Sequence, residues 1–309
     1  MKDTVRTRSY MNAIIRNSAL FKDKIVLDVG CGTGILSLFA SKAGAKHVYG
    51  IDCSDIADQA KIIVRDNGKE DTVTILKGKV EEITLPVDKV DIIISEWMGY
   101  FLFYESMLDT VIYARDKWLV PGGLILPDRG TLSLAAIEDA EYKHGKIDFW
   151  EDVYGFNMKC IRELALTEPL VDIVDEKQIC SNEVAIFNLD INGVKKEDVN
   201  FKKPFKLTFE RKEFVHALVA SFDITFTFRG EGRDVYFSTS PRHKSTHWKQ
   251  TVFYFDKVLD VMPGDELTGW ISCKPSESNP RDLDIDLQYT FHAHHSGQVL
   301  ECETQYKMR

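Results

Sequence analysis

The sequence predicts an open, doubly wound α/β sheet followed by an antiparallel, β-rich second half. Up to about Pro127, short apolar runs alternate with amphipathic stretches, which is the pattern of parallel strands joined by crossover helices. After Pro127 the chain changes to extended segments rich in Phe, Thr and Val, which indicate antiparallel strands. A glycine-rich turn directly follows the first apolar run, as in other doubly wound sheets.

Five short apolar runs supply the strands of the first half. The predicted strands are Lys24–Val29, His47–Ile51, Val73–Leu76, Val90–Ser95 and Leu124–Leu126. Helical spacing of apolar residues predicts helices between them. The predicted helices are Ile35–Ala43, Asp55–Asp66 and the longer Tyr100–Trp118. A first domain is therefore placed over residues 1–127.

The second domain is placed over residues 128–309 and is predicted to be antiparallel. Its predicted strands are Phe205–Phe209, Val215–Phe228, Val235–Ser238, Thr251–Phe255 and Leu283–His294. An aromatic-rich segment, Glu141–Leu166, interrupts this pattern and is predicted to be an inserted, partly helical excursion. Since no repeat or flexible linker separates the two halves, we expect them to pack directly together.

Composition favours an intracellular protein with reduced thiols. No run of 18 apolar residues occurs, and the first ten residues lack the apolar stretch of a signal peptide, so no membrane association is expected. The six cysteines form no C-x-x-C pair, which argues against a zinc site or a disulfide framework. A net charge of −9 disfavours direct nucleic acid binding and is compatible with basic protein partners, although it also fits simple solubility.

The first apolar run ends in a turn suited to a nucleotide-type ligand. Asp28 lies in the run, and Gly30 and Gly32 belong to a G-x-G-x-G turn that precedes the helix starting near Ile35. Glycines allow close approach of a ligand, and the helix N-terminus favours negative charge. Asp52 ends the next strand, 24 positions beyond Asp28, where a carboxylate can accept hydrogen bonds from ribose hydroxyls. Taken alone, Asp52 could also be an acidic residue at the protein surface. The glycine turn could also be a tight turn that binds no ligand.

The fourth predicted strand delivers two glutamates into apolar and aromatic surroundings. Glu96 directly follows the strand, and Glu105 closes the loop that comes after it. Two carboxylates in such surroundings need a strong cation to offset their desolvation and mutual repulsion. An arginine guanidinium fits, because it stays charged and offers a planar fork of donors.

These motifs together carry a family resemblance. The turn D-V-G-x-G-T-G and the acid after it resemble the S-adenosylmethionine site of Rossmann-like methyltransferases. The run S-E-W-M-G-Y…Y-E-S-M resembles the double-glutamate loop of protein arginine methyltransferases, and Thr246-His247-Trp248 is similar to their T-H-W loop. With the fragment Tyr154-Gly155-Phe156, the match covers nearly all 309 residues and is most like the main asymmetric-dimethylating, type I members.

The resemblance implies a role for each site residue. The implied catalytic residues are Glu96, Glu105 and His247, and the implied cofactor-binding residues are Arg6, Asp28, Gly30, Gly32, Asp52, Val80, Glu81 and Met107. Tyr100 and Trp248 are implied to wall the slot of the substrate guanidinium, and Asp3 is implied to pair with His247. On spacing alone, Glu81 also fits a solvated acidic loop, and a lone histidine in a β-rich half also fits a structural role. Relatives commonly have Glu where this chain has Asp52, so the reach to the ribose is expected to differ.

The resemblance also implies the reaction and the partners. The methyl of S-adenosylmethionine is transferred in one displacement to a guanidinium nitrogen, leaving S-adenosylhomocysteine, with no metal; the identity of any general base stays open. The second half is implied to be β-barrel-like, with a dimerisation arm at about 141–166 that forms a homodimer. Substrates are expected among Gly/Arg-rich RNA-binding proteins and histone tails, in the cytoplasm and nucleus.

Two alternatives stay open at this point. The chain could be a regulatory or scaffold subunit paired with an active homologous partner, although intact Glu96, Glu105 and His247 count against that. A small-molecule methyltransferase would use the same first half.

Family members usually carry a helical segment with a Y-F-x-x-Y motif ahead of the stretch that matches Lys2–Arg6. Weak activity or weak cofactor binding is therefore expected of the sequence as it stands.

Overall fold

A five-stranded parallel sheet forms the first half of the chain. The structure is a computed structural model that describes residues 2–309, so Met1 lies outside it. The strand order is β3-β2-β1-β4-β5, all parallel. The strands are β1 (Ile25–Val29), β2 (His47–Asp52), β3 (Val73–Lys77), β4 (Val90–Ser95) and β5 (Leu119–Leu126). All five predicted strands are present.

The order of these strands decides where a ligand can bind. β1 and β4 are neighbours in space but are separated in sequence by β2 and β3. The chain therefore winds outward in both directions from β1, and a crevice opens between the carboxyl ends of β1 and β4. The glycine turn follows β1 and Glu96 follows β4, so the two predicted motifs meet at this crevice.

Helices cover the sheet and also precede it. They are α1 (Thr4–Ile15), α2 (Ser18–Phe21), α3 (Ile35–Lys42), α4 (Ile56–Asp66) and α5 (Met107–Trp118). The prediction of a helix starting at Tyr100 is wrong, because residues 100–106 form an irregular loop. Phe101, Leu102, Glu105 and Ser106 in that loop have positive φ, which a right-handed helix cannot accommodate. Helix α1 was not predicted, since its apolar residues are few and weakly periodic.

The second half consists of two antiparallel sheets. One has the order β7-β12-β10-β6-β8 with β11 beside β10, and the other has the order β15-β14-β13-β9. The strands are β6 (Arg129–Ile137), β7 (Leu170–Asp172), β8 (Val184–Asp190), β9 (Phe201–Thr208), β10 (Glu213–Phe226), β11 (Val235–Ser238), β12 (Gln250–Val261), β13 (Glu266–Pro275), β14 (Leu283–Ala293) and β15 (Gln298–Met308). The antiparallel prediction is confirmed, although strands such as β13 and β15, with many polar residues on the exposed face, were missed.

The predicted excursion is a helical arm between β6 and β7. It comprises α6 (Ala140–Tyr142), two short helical turns over 143–151, and α7 (Lys159–Thr167). At its base, the buried ammonium of Lys143 contacts Asp148 at 2.9 Å, and Arg162 contacts Asp148 at 2.9 Å and Asp256 of β12 at 2.7 Å. These ion pairs hold the arm against the second half, while at its tip, 152–157, the side chains of Tyr154 and Phe156 are largely exposed.

The two halves share one apolar core and bond directly to each other. Tyr10 of α1 packs edge-on against Phe226 of β10, with ring centroids 4.9 Å apart. The Trp248 indole N–H donates to the backbone oxygen of Met98 at 2.8 Å. In residues 2–309, no helix combines the length and the apolar character that crossing a membrane requires.

Candidate active site

The glycine turn after β1 is held in a left-handed backbone conformation. Gly30, Gly32 and Gly34 have φ of +70°, +53° and +81°. The amides of Gly30 and Cys31 both donate to the Ile51 oxygen of β2 at 2.9 Å, which ties the turn to the neighbouring strand. A residue with a side chain would be strained at these positions, so the glycines meet a requirement of the backbone.

Asp52 at the end of β2 braces this turn. One carboxylate oxygen accepts from the Gly32 amide at 2.9 Å, and the other accepts from the Ser54 amide at 2.9 Å and its hydroxyl at 2.6 Å. The acid predicted to face a ribose therefore already has three protein donors. Its shorter side chain, compared with glutamate, keeps the carboxylate close to the turn.

Asp28 lies under the turn and is completely buried. Its Oδ2 accepts from the Ser37 hydroxyl at 2.6 Å, but its Oδ1 has no hydrogen-bond partner among residues 2–309. Burial raises the pKa of Asp28 to about 7, against the opposing effects of Ser37 and the Arg6 charge. Arg6 is near enough to act on this carboxyl, and its own Nε is buried without a partner. Orphaned buried polar atoms of opposite charge suit a ligand that carries both an ammonium and a carboxylate.

The remaining residues predicted to contact the cofactor lie in the loop after β3 and at the start of α5. Val80 is buried, and Glu81 accepts from the Thr110 hydroxyl of α5 at 3.1 Å. The Met107 methyl lies over the turn, 2.6 Å from the point that a Cβ on Gly30 would occupy. Met107 therefore lies against the glycine turn, and Glu81 is joined to α5 through Thr110.

Glu96 projects from the end of β4 and holds a guanidinium. Its Oε2 lies 2.9 Å from Arg6 Nη2, and both side chains are more than four-fifths buried. Burial raises the pKa of Glu96 to about 7, the Arg6 charge opposes this, and the Glu105 charge adds to it. Tyr10 of α1, whose hydroxyl donates to the Ser95 oxygen at 2.7 Å, closes the site from behind.

Glu105 does not share a cation with Glu96 in this structure. Its side chain is about half exposed and pairs with Arg281, from the loop between β13 and β14, at 3.0 Å. The Glu105 amide donates to the Arg281 oxygen at 2.8 Å. The two predicted clamp carboxylates therefore lie on one loop, but each is paired with a different arginine of the chain.

The predicted aromatic walls differ in exposure. Tyr100 lies at the surface of the loop, with its ring 6.3 Å from that of Tyr104. Trp248 is buried: its ring stacks on Phe237 at 5.6 Å, and its N–H holds Met98 in the loop after Glu96. Trp248 thus supports the loop from beneath, whereas Tyr100 faces solvent.

His247 contacts the start of α1 through Asp3, the contact implied by the family resemblance. Asp3 Oδ2 lies 2.8 Å from His247 Nδ1 and 2.9 Å from its amide, while Oδ1 accepts from the Arg6 amide at 2.9 Å. Burial favours the protonated form of Asp3, but these hydrogen bonds outweigh it and lower the pKa of the carboxyl. Asp3 is therefore the N-cap of α1 and its tie to the second half.

Sequence reasoning missed Tyr10 and Arg281. The spacing of Arg6 and Tyr10, four residues apart, would place both on one face of a helix, but helix α1 itself was not predicted. Arg281 is 176 positions from Glu105, so no local pattern could connect them.

Two family models match the chain in succession. One is described as a methyltransferase domain and matches residues 26–123. The other is described as an arginine methyltransferase oligomerization subdomain and matches residues 128–294.

Similar proteins cover the whole chain. Protein arginine N-methyltransferase 1 of Chlamydomonas reinhardtii is 64% identical over 100% of this chain and 88% of that protein. The protein of the same name from Oryza sativa is 57% identical over 100% of this chain and 79% of that protein.

Solved structures show the same architecture. The chain superposes with a TM-score of 0.95 on the enzyme–prozyme heterotetrameric complex of Trypanosoma brucei protein arginine methyltransferase 1 with S-adenosylhomocysteine, at 46% identity over 100% of this chain and 96% of that chain. Arabidopsis thaliana protein arginine methyltransferase 10, described as uniquely open, gives 0.90 at 29% identity, over 100% and 96% of the two chains.

Proposed function

Because this chain belongs to the protein arginine methyltransferase family, we propose that Glu96 and Glu105 clamp a protein arginine side chain while it is methylated to mono- and asymmetric dimethylarginine. The chain is an S-adenosylmethionine-dependent protein-arginine N-methyltransferase of type I. The assignment of the clamp depends chiefly on one observation, namely that Glu96 is a buried carboxylate already holding a guanidinium at 2.9 Å.

The crevice after β1 fits the cofactor. Asp28 Oδ1 can accept a hydrogen bond from the ammonium of the cofactor's amino acid portion, and Arg6 can donate to the cofactor's carboxylate. The open glycine turn lies beside them. When bound, S-adenosylmethionine supplies an electrophilic methyl group on a positively charged sulfur. Met107, over Gly30, borders the same crevice.

The glutamates act on the substrate mainly by position and charge. A carboxylate on each of the far nitrogens holds positive charge there, so that the electrons of the third nitrogen are directed at the methyl group. Buried Tyr10 and Trp97 exclude water from the region of Glu96. The nitrogen loses its proton during or after the attack. The carboxylate of Glu96, with its pKa raised to about 7, is suited to accept it.

The acidic character of the chain supports basic protein substrates. A net charge of −9 favours association with Gly/Arg-rich segments, such as those of RNA-binding proteins, and with histone tails, found in the cytoplasm and nucleus. These substrates and compartments are part of the proposal.

The arm supports a homodimer. The chain contains the family's oligomerization subdomain over residues 128–294. The arm exposes Phe149, Tyr154, Phe156 and Leu164, and a cluster of apolar side chains on a projecting segment requires a partner surface. A second copy of this chain is the proposed partner, and a homologous subunit, as in the Trypanosoma complex, is the alternative.

The proposal is tested with methyl-labelled S-adenosylmethionine and a Gly/Arg-rich peptide. Glu96→Gln and Glu105→Gln remove one negative charge each without changing shape, and each should lower kcat/KM by about a hundredfold or more. The control is Glu82→Gln, which removes the same charge from an exposed residue paired with Lys79.

We expect the wild type and Glu82→Gln to yield label as asymmetric dimethylarginine. This label should be nearly lost in Glu96→Gln and in Glu105→Gln. Activity that survives both substitutions would contradict the clamp. Cofactor binding without any labelled arginine would favour the alternative of a subunit that needs an active homologue, and a search for a co-purifying homologue would follow.

A further inference from the structure

A loop of the second half forms three hydrogen bonds with the loop between β4 and α5, which carries both proposed clamp glutamates. It spans residues 276–282, between β13 and β14. The Glu105 amide donates to the Arg281 oxygen at 2.8 Å, the Ser106 hydroxyl donates to the Pro280 oxygen, and Arg281 Nη2 donates to Glu105 Oε1 at 3.0 Å. Two of these bonds involve the backbone of 280–281 and one involves the Arg281 guanidinium.

The backbone of this loop is held independently of the Arg281 side chain. The Ser276 amide donates to the Asp282 oxygen at 2.9 Å, the Asp282 amide to the Asn279 oxygen at 2.9 Å, and the Arg281 amide to the Asn279 side chain at 3.2 Å. The guanidinium can therefore leave Glu105 while the loop stays in place.

The pair that the guanidinium forms is exposed, unlike that of Glu96. The side chains of Arg281 and Glu105 are 66% and 54% exposed, whereas those of Arg6 and Glu96 are 17% and 18% exposed. Exposed ion pairs are weak and exchange readily. Arg281 presents to Glu105 the same chemical group as the proposed substrate.

We infer that the Arg281 guanidinium occupies Glu105 in place of the substrate arginine, and that the substrate must displace it to complete the clamp. This inference depends on the proposed function. It makes Arg281 a positioning residue that holds Glu105 outward and lowers the affinity of the free enzyme for arginine peptides. Glu105 joins Glu96 on one cation only after the exchange.

The test measures binding of a fluorescent Gly/Arg-rich peptide with a single arginine, at saturating S-adenosylhomocysteine. Arg281→Gln should tighten binding by about two- to fivefold, the range expected for release of an exposed ion pair. Arg281→Lys, which keeps the charge, should stay within about twofold of the wild type. Arg65→Gln is the matched control, because Arg65 forms an equally exposed pair with Asp66 at the far end of α4.

A double-variant cycle separates displacement from general charge attraction. In a Glu105→Gln background the Arg281→Gln change should have no effect, since no pair remains to be displaced. A similar gain in that background, or in Arg65→Gln, would show that the lower positive charge alone attracts the peptide, and the inference would be wrong. Equal or weaker binding by Arg281→Gln would also overturn it.

The outcome is distinguishable from failure of the proposed function. A wild type that forms no labelled methylarginine would contradict the function. A wild type that methylates the peptide, with Arg281→Gln binding it no more tightly, would contradict this inference alone.

Discussion

At the scale of single residues, burial sets the chemistry of the crevice. Asp28 and Glu96 lie at the carboxyl ends of neighbouring strands, and burial raises the pKa of each to about 7. Both carboxyl groups therefore gain or lose charge within the physiological range. Arg6, which opposes the raised pKa of both groups, links the proposed cofactor side of the crevice to the proposed substrate side.

We predict that cofactor affinity rises with pH through the ionisation of Asp28. If only the carboxylate accepts the ammonium of the cofactor, the dissociation constant should fall by roughly tenfold between pH 6 and pH 8. Isothermal titration calorimetry across this range measures it. The Asp28→Asn variant should bind weakly at every pH. A pH dependence that persists in Asp28→Asn and vanishes in Glu96→Gln would assign the effect to Glu96 instead.

Ionisation of Asp28 should raise cofactor affinity but lower the stability of the folded protein. The folded state keeps the Asp28 proton up to about pH 7, whereas the unfolded chain releases it near 3.8. The free energy of unfolding should therefore decrease as pH rises through this window, by the contribution of Asp28 alone. We expect cofactor binding at neutral pH to offset this cost, because the proposed contact with the cofactor ammonium would stabilise the carboxylate.

At the scale of elements, the proposed clamp depends on the conformation of the loop between β4 and α5, which carries both glutamates. The Gly99 amide donates to the Leu102 oxygen at 3.1 Å, and a Cβ on Gly99 would lie 1.8 Å from the Tyr104 oxygen. Only glycine allows the backbone segments at positions 99 and 104 of this loop to approach each other so closely. The position of Glu105, next to Tyr104, therefore depends on Gly99.

We predict that Gly99→Ala displaces Glu105 and impairs methyl transfer. The activity, as kcat/KM for the peptide, should fall by at least about tenfold, and the free energy of unfolding by about 1–3 kcal/mol. Cofactor affinity should change little, since the glycine turn after β1 is unaffected. Radiolabel transfer and chemical denaturation measure the two effects.

Gly193→Ala is the control for this substitution. A Cβ on Gly193 meets nothing within 4 Å, and its φ is not in the left-handed region. Its stability should stay within about 0.5 kcal/mol of the wild type. Normal activity of Gly99→Ala would mean that the loop relaxes without moving Glu105.

At the scale of the whole molecule, the arm is the feature that a single chain leaves unsatisfied. Tyr154 is 96% exposed and Phe156 is 69% exposed, whereas the base of the arm is held by Lys143, Asp148 and Arg162. A firmly held base presents the apolar tip in a fixed orientation, which reduces the entropy lost on binding a partner. This arrangement suits a dimer contact.

We predict that Tyr154→Ala combined with Phe156→Ala weakens the proposed dimer by at least about tenfold and leaves the fold intact. Both side chains are largely exposed, so the thermal midpoint of the monomer should not change. Trp150 is a poorer choice, because its indole donates to the Lys146 oxygen within the arm. Sedimentation at micromolar concentration measures the association.

The control is Trp270→Ala, which removes an aromatic side chain of 45% exposure from β13, outside the arm. A dimer unaffected by the double variant, or a wild type that sediments as a monomer, would contradict the role of the arm.

The sequence alone determined the parallel sheet and the glycine turn of the first half, because their signals are local. Buried parallel strands appear as continuous apolar runs, and the turn from Gly30 to Gly34 requires glycine whatever surrounds it. The double-glutamate and T-H-W motifs predicted the family, which the comparisons confirm. The antiparallel second half and its helical excursion could also be predicted from the change in composition.

Only the tertiary structure decided how the site residues are partnered. Arg6 with Glu96, Arg281 with Glu105 and Trp248 with Met98 are contacts between segments far apart in the chain. The loop that replaced the predicted helix start is fixed by such contacts as well. Ion pairs and hydrogen bonds depend on distances of a few ångströms, and sequence periodicity carries no information on which distant segments meet. The residue types of the site could therefore be recognised from local motifs, whereas the partner of each residue is decided by the fold.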